Sequence, residues 1–316
     1  MSTAVVEPSP APDQDQQDSH PRSRRQRYAP FVALAVALIG IAIMVYPVFA
    51  TRHNDVQHQI NANKFTVSVN NADPAELERS LQQADAYNSD LSQGLILDPF
   101  LEDLVPDTAE YQHYLEQLAV TDAMAVVKVP SAEINLPVYH GTSDEVLKNG
   151  VGHLFGSSLP VGGPGTHSVM TGHTALPNAT LFDHLSDVKE GDAIYLNTLG
   201  RELKYVVKEI TVVEPSEIDS LNRVPGRDLV TLITCTPYGI NSHRLLVTGE
   251  RVPLDPADEA IIKREEPVKA SWTWWMISIL VIGIAALIGV GGLIIRLIIL
   301  SRRAESAASK GRHHAR

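Results

Sequence analysis

Cys235 is the only cysteine among 316 residues, and it closes the β-favouring run TLITC at 231–235. A Pro, a Gly and an Asn follow it before a second such run begins at Arg244. A cysteine nucleophile needs a base or an imidazolium nearby and a donor to hold a developing oxyanion. If 229–235 and 244–248 are neighbouring antiparallel strands joined by TPYGINSH, the end of one lies beside the start of the next. Cys235 and Arg244 then meet at one rim of a sheet. Alternation along the first strand sets Thr231, Ile233 and Cys235 on one face, which predicts a thiol in line with an inward-facing row.

Twelve histidines compete for the role of base. His173 ends the strand-like SVMTGH just before a loop containing Pro177, mirroring the strand-end location of Cys235, with His140, His153, His167, His184 and His243 as alternatives. No close His, Cys or Asp pair shows zinc-site spacing, so neither a metal nor a cofactor is expected. A lone thiol in an exported domain is either buried and inert or functional. The plain alternative makes Cys235 a small core residue, Arg244 a surface charge and His173 a turn residue.

The elements that must carry these residues are mostly strands. MAVVKVP, INLPVYHG, THSVMTGH, DAIYLN, LKYVVKEITVV, DLVTLITC and HRLLVTGERV follow one another from about Met124 onward, separated by Gly, Pro, Asn and Asp. Short strands with turn chemistry between them predict a closed barrel or sandwich. Helices come first. Asp73, Pro74 and Glu76 form a start signal, and Leu77, Leu81 and Ala84 recur at helical spacing, predicting a helix over 74–88. Asp107 with Glu110 opens a second helix in DTAEYQHYLEQL. Between them GLILDPFLEDLVP is apolar yet broken by Pro99 and Pro106.

Two segments, at 28–50 and 272–300, are each long and apolar enough to cross a hydrocarbon core, which takes roughly 20 residues of helix. The first exceeds a signal-peptide core and lacks a clear cleavage site, so an uncleaved anchor is expected. Trp272, Trp274 and Trp275 stand where an interfacial belt would sit. Arg296 is near enough to the end of the second span to snorkel to the interface. Arg22, Arg24, Arg25 and Arg27 precede the first span, and Arg302, Arg303, Lys310, Arg312 and Arg316 follow the second. The positive-inside rule therefore predicts cytoplasmic termini and an extracytoplasmic domain between the spans. Residues 1–50 carry four Arg against four acidic residues, and 272–316 carry six basic residues against one acidic, so the total of −11 leaves −16 for 51–271. So acidic a domain, with no basic stripe, argues against nucleic acid; it would attract a lysine-rich partner, and its plain reading is a solvated surface. The polar residues 1–21 and the end ESAASKGRHHAR read as disordered tails.

The chain resembles the sortases, the membrane-anchored cysteine transpeptidases of Gram-positive bacteria. TLITCTPYGINSHRLLVTG resembles the family's TLxTC signature with its downstream Arg, and MTGHTALPNATLFDHLSDVKEGDAIYL resembles the segment bearing the family histidine. VYHGTSDEVLKNGVGHLFGSSLPVGGPGTHSVMTGH is similar to the class C, or pilin-polymerising, branch. The likeness covers roughly 75–252 and departs from the family pattern at Ala125, Val127 and Val129, where Gly and Ile are common. It implies a mainly β fold, a closed eight-stranded sortase-type barrel with an N-terminal helical and lid subdomain. It further implies Cys235 as nucleophile, His173 as general acid and base, and Arg244 as the residue that positions substrate and steadies the oxyanion. The remaining histidines 140, 153, 167 and 184 fall outside that role.

LILDPFL resembles the lid of class C sortases. By that likeness Phe100 covers Cys235 and Asp98 pairs with Arg244, with Pro99 stiffening the presentation of both. The implied reaction cuts an LPXTG-type sorting signal between Thr and Gly and passes the acyl group to a pilin lysine. Implied partners are LPXTG-bearing pilin or surface proteins, the acceptor lysine of a pilin subunit, and the membrane. The alternatives are a housekeeping sortase that serves a cell-wall precursor amine, a cysteine hydrolase, and a non-catalytic binding module. The expected organisation is a disordered tail at 1–27, a span at 28–50, and a helical subdomain with lid at 51–122. The barrel follows at 123–255, then a linker at 256–271, a second span at 272–300 and a basic tail at 301–316.

Overall fold

The computed structural model describes residues 24–91, 98–100, 108–217, 219–263 and 272–314. The expected disorder of 1–21, the Asp107 start signal and the lid residues on either side of 98–100 lie outside these. The chain divides into two units, Met1–Val45 with Ser278–Arg316, and Tyr46–Ile277.

The first unit is helical. It takes the start of α1 (Arg24–Asn71) and most of α6 (Trp274–His314). Two helical stretches, Leu34–Asn71 and Trp275–Leu300, are long and apolar enough to cross a membrane. Phe31, Val36, Ile39 and Ile43 on α1, and Ile284, Ile288 and Leu293 on α6, stay uncovered, which is consistent with membrane anchoring. The end of the chain differs from the tail expected there: α6 continues through His314. Ala, Glu, Lys and Arg dominate that stretch, and these are strong helix formers.

In the second unit α1 runs on past its apolar part and docks on the domain through Ala62, Phe65 and Val69. Its Asp55 carboxylate accepts from Thr180 N at 2.9 Å and Thr180 Oγ1 at 2.7 Å. Next comes α2 (Pro74–Asp90), started by Asp73, whose side chain accepts from Ala75 N at 3.0 Å. In α3 (Ala109–Leu115) the cap is Thr108, accepting from Tyr111 N at 3.2 Å. The helix therefore begins one residue later than the Asp107 signal implied.

Eight strands follow: β1 (Ala125–Val129), β2 (Ile134–His140), β3 (Val151–His153), β4 (Thr166–Thr171), β5 (Ala193–Thr198), β6 (Arg201–Val213), β7 (Asp228–Thr236) and β8 (His243–Val252). They close a barrel in the order β1-β2-β3-β4-β7-β8-β6-β5. Seven coincide with strand-like runs. The eighth, β3, is three residues long and too short to show a period; it pairs parallel with β2 after the crossover helix α4 (Asp144–Asn149).

Strand β7 is apolar on both faces. Val230 and Leu232 join the main core, whereas Ile233 joins a second, smaller cluster with Leu154, Val169, Leu221 and Leu246. The row Thr231, Ile233, Cys235 thus faces away from the main core, not into it as expected. Alternation fixes which residues share a face, but a strand buried on both sides gives no sign of which face is which.

The stretch expected to be a linker starts with α5 (Pro256–Lys263), which packs back on the barrel. Asp258 accepts from Tyr195 Oη and Lys204 Nζ, each at 2.7 Å, and Lys128 Nζ donates to the Ile262 carbonyl at 2.7 Å.

Candidate active site

Cys235 and Arg244 are Cα partners in the antiparallel β7–β8 ladder, with Thr236 and His243 the last pair beyond them. Directly opposed residues share a face, so the thiol and the guanidinium rise from the sheet together. The strands are joined by a tight loop in which Pro237 O accepts from Ile240 N and Asn241 N, both at 3.0 Å. Gly239 (φ 73°) and Asn241 (φ 60°) take the left-handed conformation that such a loop needs, and these two residue types adopt it at low cost.

His173 reaches this rim from β4, which runs parallel to β7 with Thr171 beside Ile233. The strand stops two residues short of His173, and the intervening Gly172 continues the contact. Gly172 N donates to Ile233 O at 3.1 Å, and Thr234 Oγ1 donates to Gly172 O at 2.7 Å. Ile233 and Thr234 immediately precede Cys235, so these two bonds set His173 alongside the thiol. Only glycine fits at 172, because a Cβ there would lie 2.6 Å from the fully buried Phe182 ring. The far side of His173 is fixed too, its carbonyl accepting from Phe182 N at 3.0 Å.

Asp98 and Phe100 lie over these groups. Asp98 takes Arg244 in a bidentate grip, Nε to Oδ1 at 3.0 Å and Nη2 to Oδ2 at 2.7 Å, with both residues more than nine-tenths buried. The remaining guanidinium nitrogen, Nη1, donates to the carbonyls of Asn241 and His243, each at 3.2 Å. The Phe100 ring stands 5.5 Å from that of His173 and carries the Arg244 guanidinium at 4.9 Å over its face. It also packs on the cluster of Ile233 and Leu246.

Two titrations follow from this enclosure. Burial pushes the Cys235 thiol up; Arg244 pulls it down, and Asp98 opposes Arg244. Burial holds His173 below the usual imidazole range, with Asp144 raising it and Lys148 lowering it from α4. The closed site therefore holds a neutral thiol and a neutral imidazole near pH 7.

The other histidines are occupied elsewhere. His153 and His140 are bonded around Tyr114 and Gln117, and His167 bridges Thr231 Oγ1 at 2.7 Å and Asn222 O at 3.1 Å. His184 lies 3.3 Å from Asp187, and His243 bonds Ser242 Oγ at 2.8 Å. Among the described residues, no group of three or more His, Cys, Asp or Glu is arranged to hold a metal ion. Sequence reasoning passed over Gly172, which sets His173 in place, and over the bonds made by Asp183 and Arg223. Gly172 stood inside the quoted MTGH, but a contact with Phe182 has no sequence signal. Asp183 and Arg223 act across gaps in the chain that periodicity does not reveal.

The sortase domain model matches residues 127–252. Sortase A of Streptococcus agalactiae is 30% identical over 146 residues, 43% of this chain, and the match takes in 57% of that protein's length. Sortase A of Bacillus anthracis is 29% identical over 147 residues, 46% of this chain and 67% of that protein. Among solved structures, sortase C-1 of Actinomyces oris is 58% identical over 57% of this chain and 100% of its own, with a TM-score of 0.57. Sortase A of Corynebacterium diphtheriae is 45% identical over 66% of this chain and 96% of its own, TM-score 0.58. Sortase C of Streptococcus pneumoniae is 43% identical over 61% and 96%, TM-score 0.55. A barrel with this strand order, a domain match that takes in both Cys235 and Arg244, and full coverage of a solved relative at this identity lead to one family: the chain belongs to the sortases.

Proposed function

We propose that this chain is a membrane-anchored transpeptidase that cleaves LPXTG-type sorting signals between Thr and Gly and joins the acyl group to a lysine amine of a pilin subunit. The observation that carries the reading is the Cys235–Arg244 pair, with His173 tied beside it and Asp98 closing it. The Cys235 thiol passes its proton to His173, the resulting thiolate attacks the Thr carbonyl carbon, and Arg244 donates to the oxyanion that forms. His173 protonates the departing Gly amine as the C–N bond breaks, leaving a thioester. The neutral lysine ε-amine attacks that thioester, His173 takes its surplus proton, and an isopeptide bond forms as the Cys235 thiolate leaves, to be reprotonated by His173. Arg244 can serve the oxyanion only after releasing Asp98, so the 98–100 lid must open first.

Class C is favoured over the housekeeping alternative by the Asp98–Arg244 contact over the site. Structures named sortase C are 40–58% identical, and the sortase A of C. diphtheriae, at 45%, falls within that range. One of those sortase C structures is described in terms of pilin substrate specificity, and a lid mutant of the C. diphtheriae protein is among the neighbours. The acidic 51–271 stretch suits a lysine-bearing acceptor. The flanking Arg and Lys support cytoplasmic termini with the barrel outside.

The test is intact-mass spectrometry of the full chain in detergent after incubation with an LPXTG peptide. It uses an Asp98→Ala, Phe100→Ala background, with Cys235→Ala as control. A peptide-fragment adduct that requires Cys235 supports acyl transfer, and its release by a lysine-bearing pilin peptide supports the acceptor. A folded, opened chain that forms no adduct overturns the reading.

A further inference from the structure

Asp183 is half-buried between the two loops that leave the site. Its Oδ1 accepts from Ala175 N at 2.7 Å and from Thr174 Oγ1 at 3.0 Å, and its Oδ2 accepts from Tyr238 Oη at 3.3 Å. Thr174 and Ala175 are the two residues after His173, and Tyr238 is the third after Cys235. One carboxylate thus joins the chain behind the histidine to the chain behind the thiol.

The backbone gives this bridge something to hold. Ala175 sits at φ 59°, a conformation in which its Cβ crowds the carbonyl oxygen and which is strained for a residue other than glycine. Without the bond from its N–H to Asp183 the loop relaxes toward ordinary φ and carries Thr174 and His173 with it. Asp183 is itself held from behind. Its N–H donates to Thr180 O at 2.8 Å, and Thr180 is gripped by Asp55 of α1. The path from α1 through Thr180 to the His173 loop is made of hydrogen bonds between 2.7 and 3.0 Å.

We propose that Asp183 is a positioning residue for transpeptidation, fixing the His173 loop against the Cys235 loop. The inference rests on the functional reading above, and it assigns Asp183 no contact with substrate.

The test measures peptide cleavage by the full chain in detergent, in the Asp98→Ala, Phe100→Ala background, for Asp183→Ala, Asp183→Asn and Tyr238→Phe. Amide hydrogen exchange is followed at 174–176. Asp183→Ala is expected to lower kcat at least tenfold with KM changed less than threefold, and to speed exchange at Ala175. Asp183→Asn keeps an oxygen for Ala175 N and is expected to restore kcat to within about threefold. Tyr238→Phe, which severs only the cross-loop bond, is expected to fall between. An active parent whose kcat is unmoved by Asp183→Ala overturns the inference alone, as does Asp183→Asn failing as badly as Ala. A parent that forms no Cys235 adduct overturns the functional reading and takes this inference with it.

Discussion

Arg244 stands directly across the β7–β8 ladder from Cys235, yet its guanidinium is turned to Asp98 by a bidentate grip. The charge that most favours a thiolate is neutralised by the carboxylate that closes the site. On the proposed function, Asp98 and Phe100 restrain the chemistry in two ways, by covering the groups and by favouring the protonated thiol.

Removing the lid carboxylate separates these effects from simple access. Burial and Asp98 both raise the Cys235 pKa, and Arg244 lowers it. Asp98→Ala removes one raising influence outright and weakens the other as water enters, so the pKa must fall. The pH profile of iodoacetamide alkylation, read by intact mass on a chain with a single cysteine, is expected to move to lower pH. Phe100→Ala keeps Asp98 and is expected to raise the alkylation rate with a smaller displacement of the profile. Identical profiles for Asp98→Ala and the parent would remove Asp98 from the control of the thiol.

The chain leading into the lid is anchored by Arg223. Its Nη1 donates to Asn88 O at 3.2 Å and its Nη2 to Leu91 O, the terminal carbonyls of α2. Asn88 is bonded in turn to both backbone groups of Leu159. A cation on the last carbonyls of a helix satisfies acceptors that have no partner within it. Arg223→Ala is expected to cost about 1 kcal/mol of stability and to raise the Cys235 alkylation rate severalfold at constant pH, since the lid loses its fixed root. Loss of stability with no change in alkylation would make Arg223 a brace for α2 only.

Gly172→Ala tests how His173 is placed. The new Cβ would lie 2.6 Å from the Phe182 ring, which is fully buried and has no room to yield. Overpacking of this kind costs roughly 1–3 kcal/mol, and relief by backbone movement breaks the bonds to Ile233 and Thr234 that hold His173 at the rim. Urea unfolding is expected to show that loss, and peptide cleavage measured well below the transition is expected to fall by more than tenfold. Full activity in a destabilised variant would show that His173 does not depend on this junction.

The strand runs and the β7–β8 pairing were legible because period-two alternation and the turn residues Gly239 and Asn241 are local signals. The reading failed where the information was not local. The Cys235 row was assigned to the interior although Val230 and Leu232 occupy it; in a strand apolar on both faces only the partner strands decide. Strand β3 was missed because Val151, Gly152 and His153 are too few to show a period. The Asp98–Arg244 bond spans 146 residues and entered through family likeness, not through pattern. Asp183 and Arg223 had no signal of either kind.

The buried Tyr114–His153 pair gives the fold a pH dependence of its own. His153 has no exposed surface, and its Nε2 lies 2.9 Å from Ser158 O, which only accepts, so that nitrogen carries the proton. Nδ1 then lies 2.9 Å from Tyr114 Oη, a hydroxyl that also donates to the His153 carbonyl at 3.0 Å and accepts from Gly141 N at 3.0 Å. Protonating Nδ1 would place a charge in a dry site, and burial lowers the His153 pKa from 6.5 to about 4. Because the folded value is depressed, the unfolded chain binds the proton first. The contribution is complete above about pH 6.5 and is lost as pH falls through about 4, amounting to roughly 3 kcal/mol. His153→Gln is expected to be less stable than the parent at pH 7, having lost the imidazole's contacts with Tyr114 and Ser158, yet to lose less stability between pH 6.5 and 4. Urea titrations across that range should show the two curves converging toward acid. Parallel curves would mean that His153 takes up its proton in the folded state as readily as in the unfolded one, and that burial does not depress its pKa.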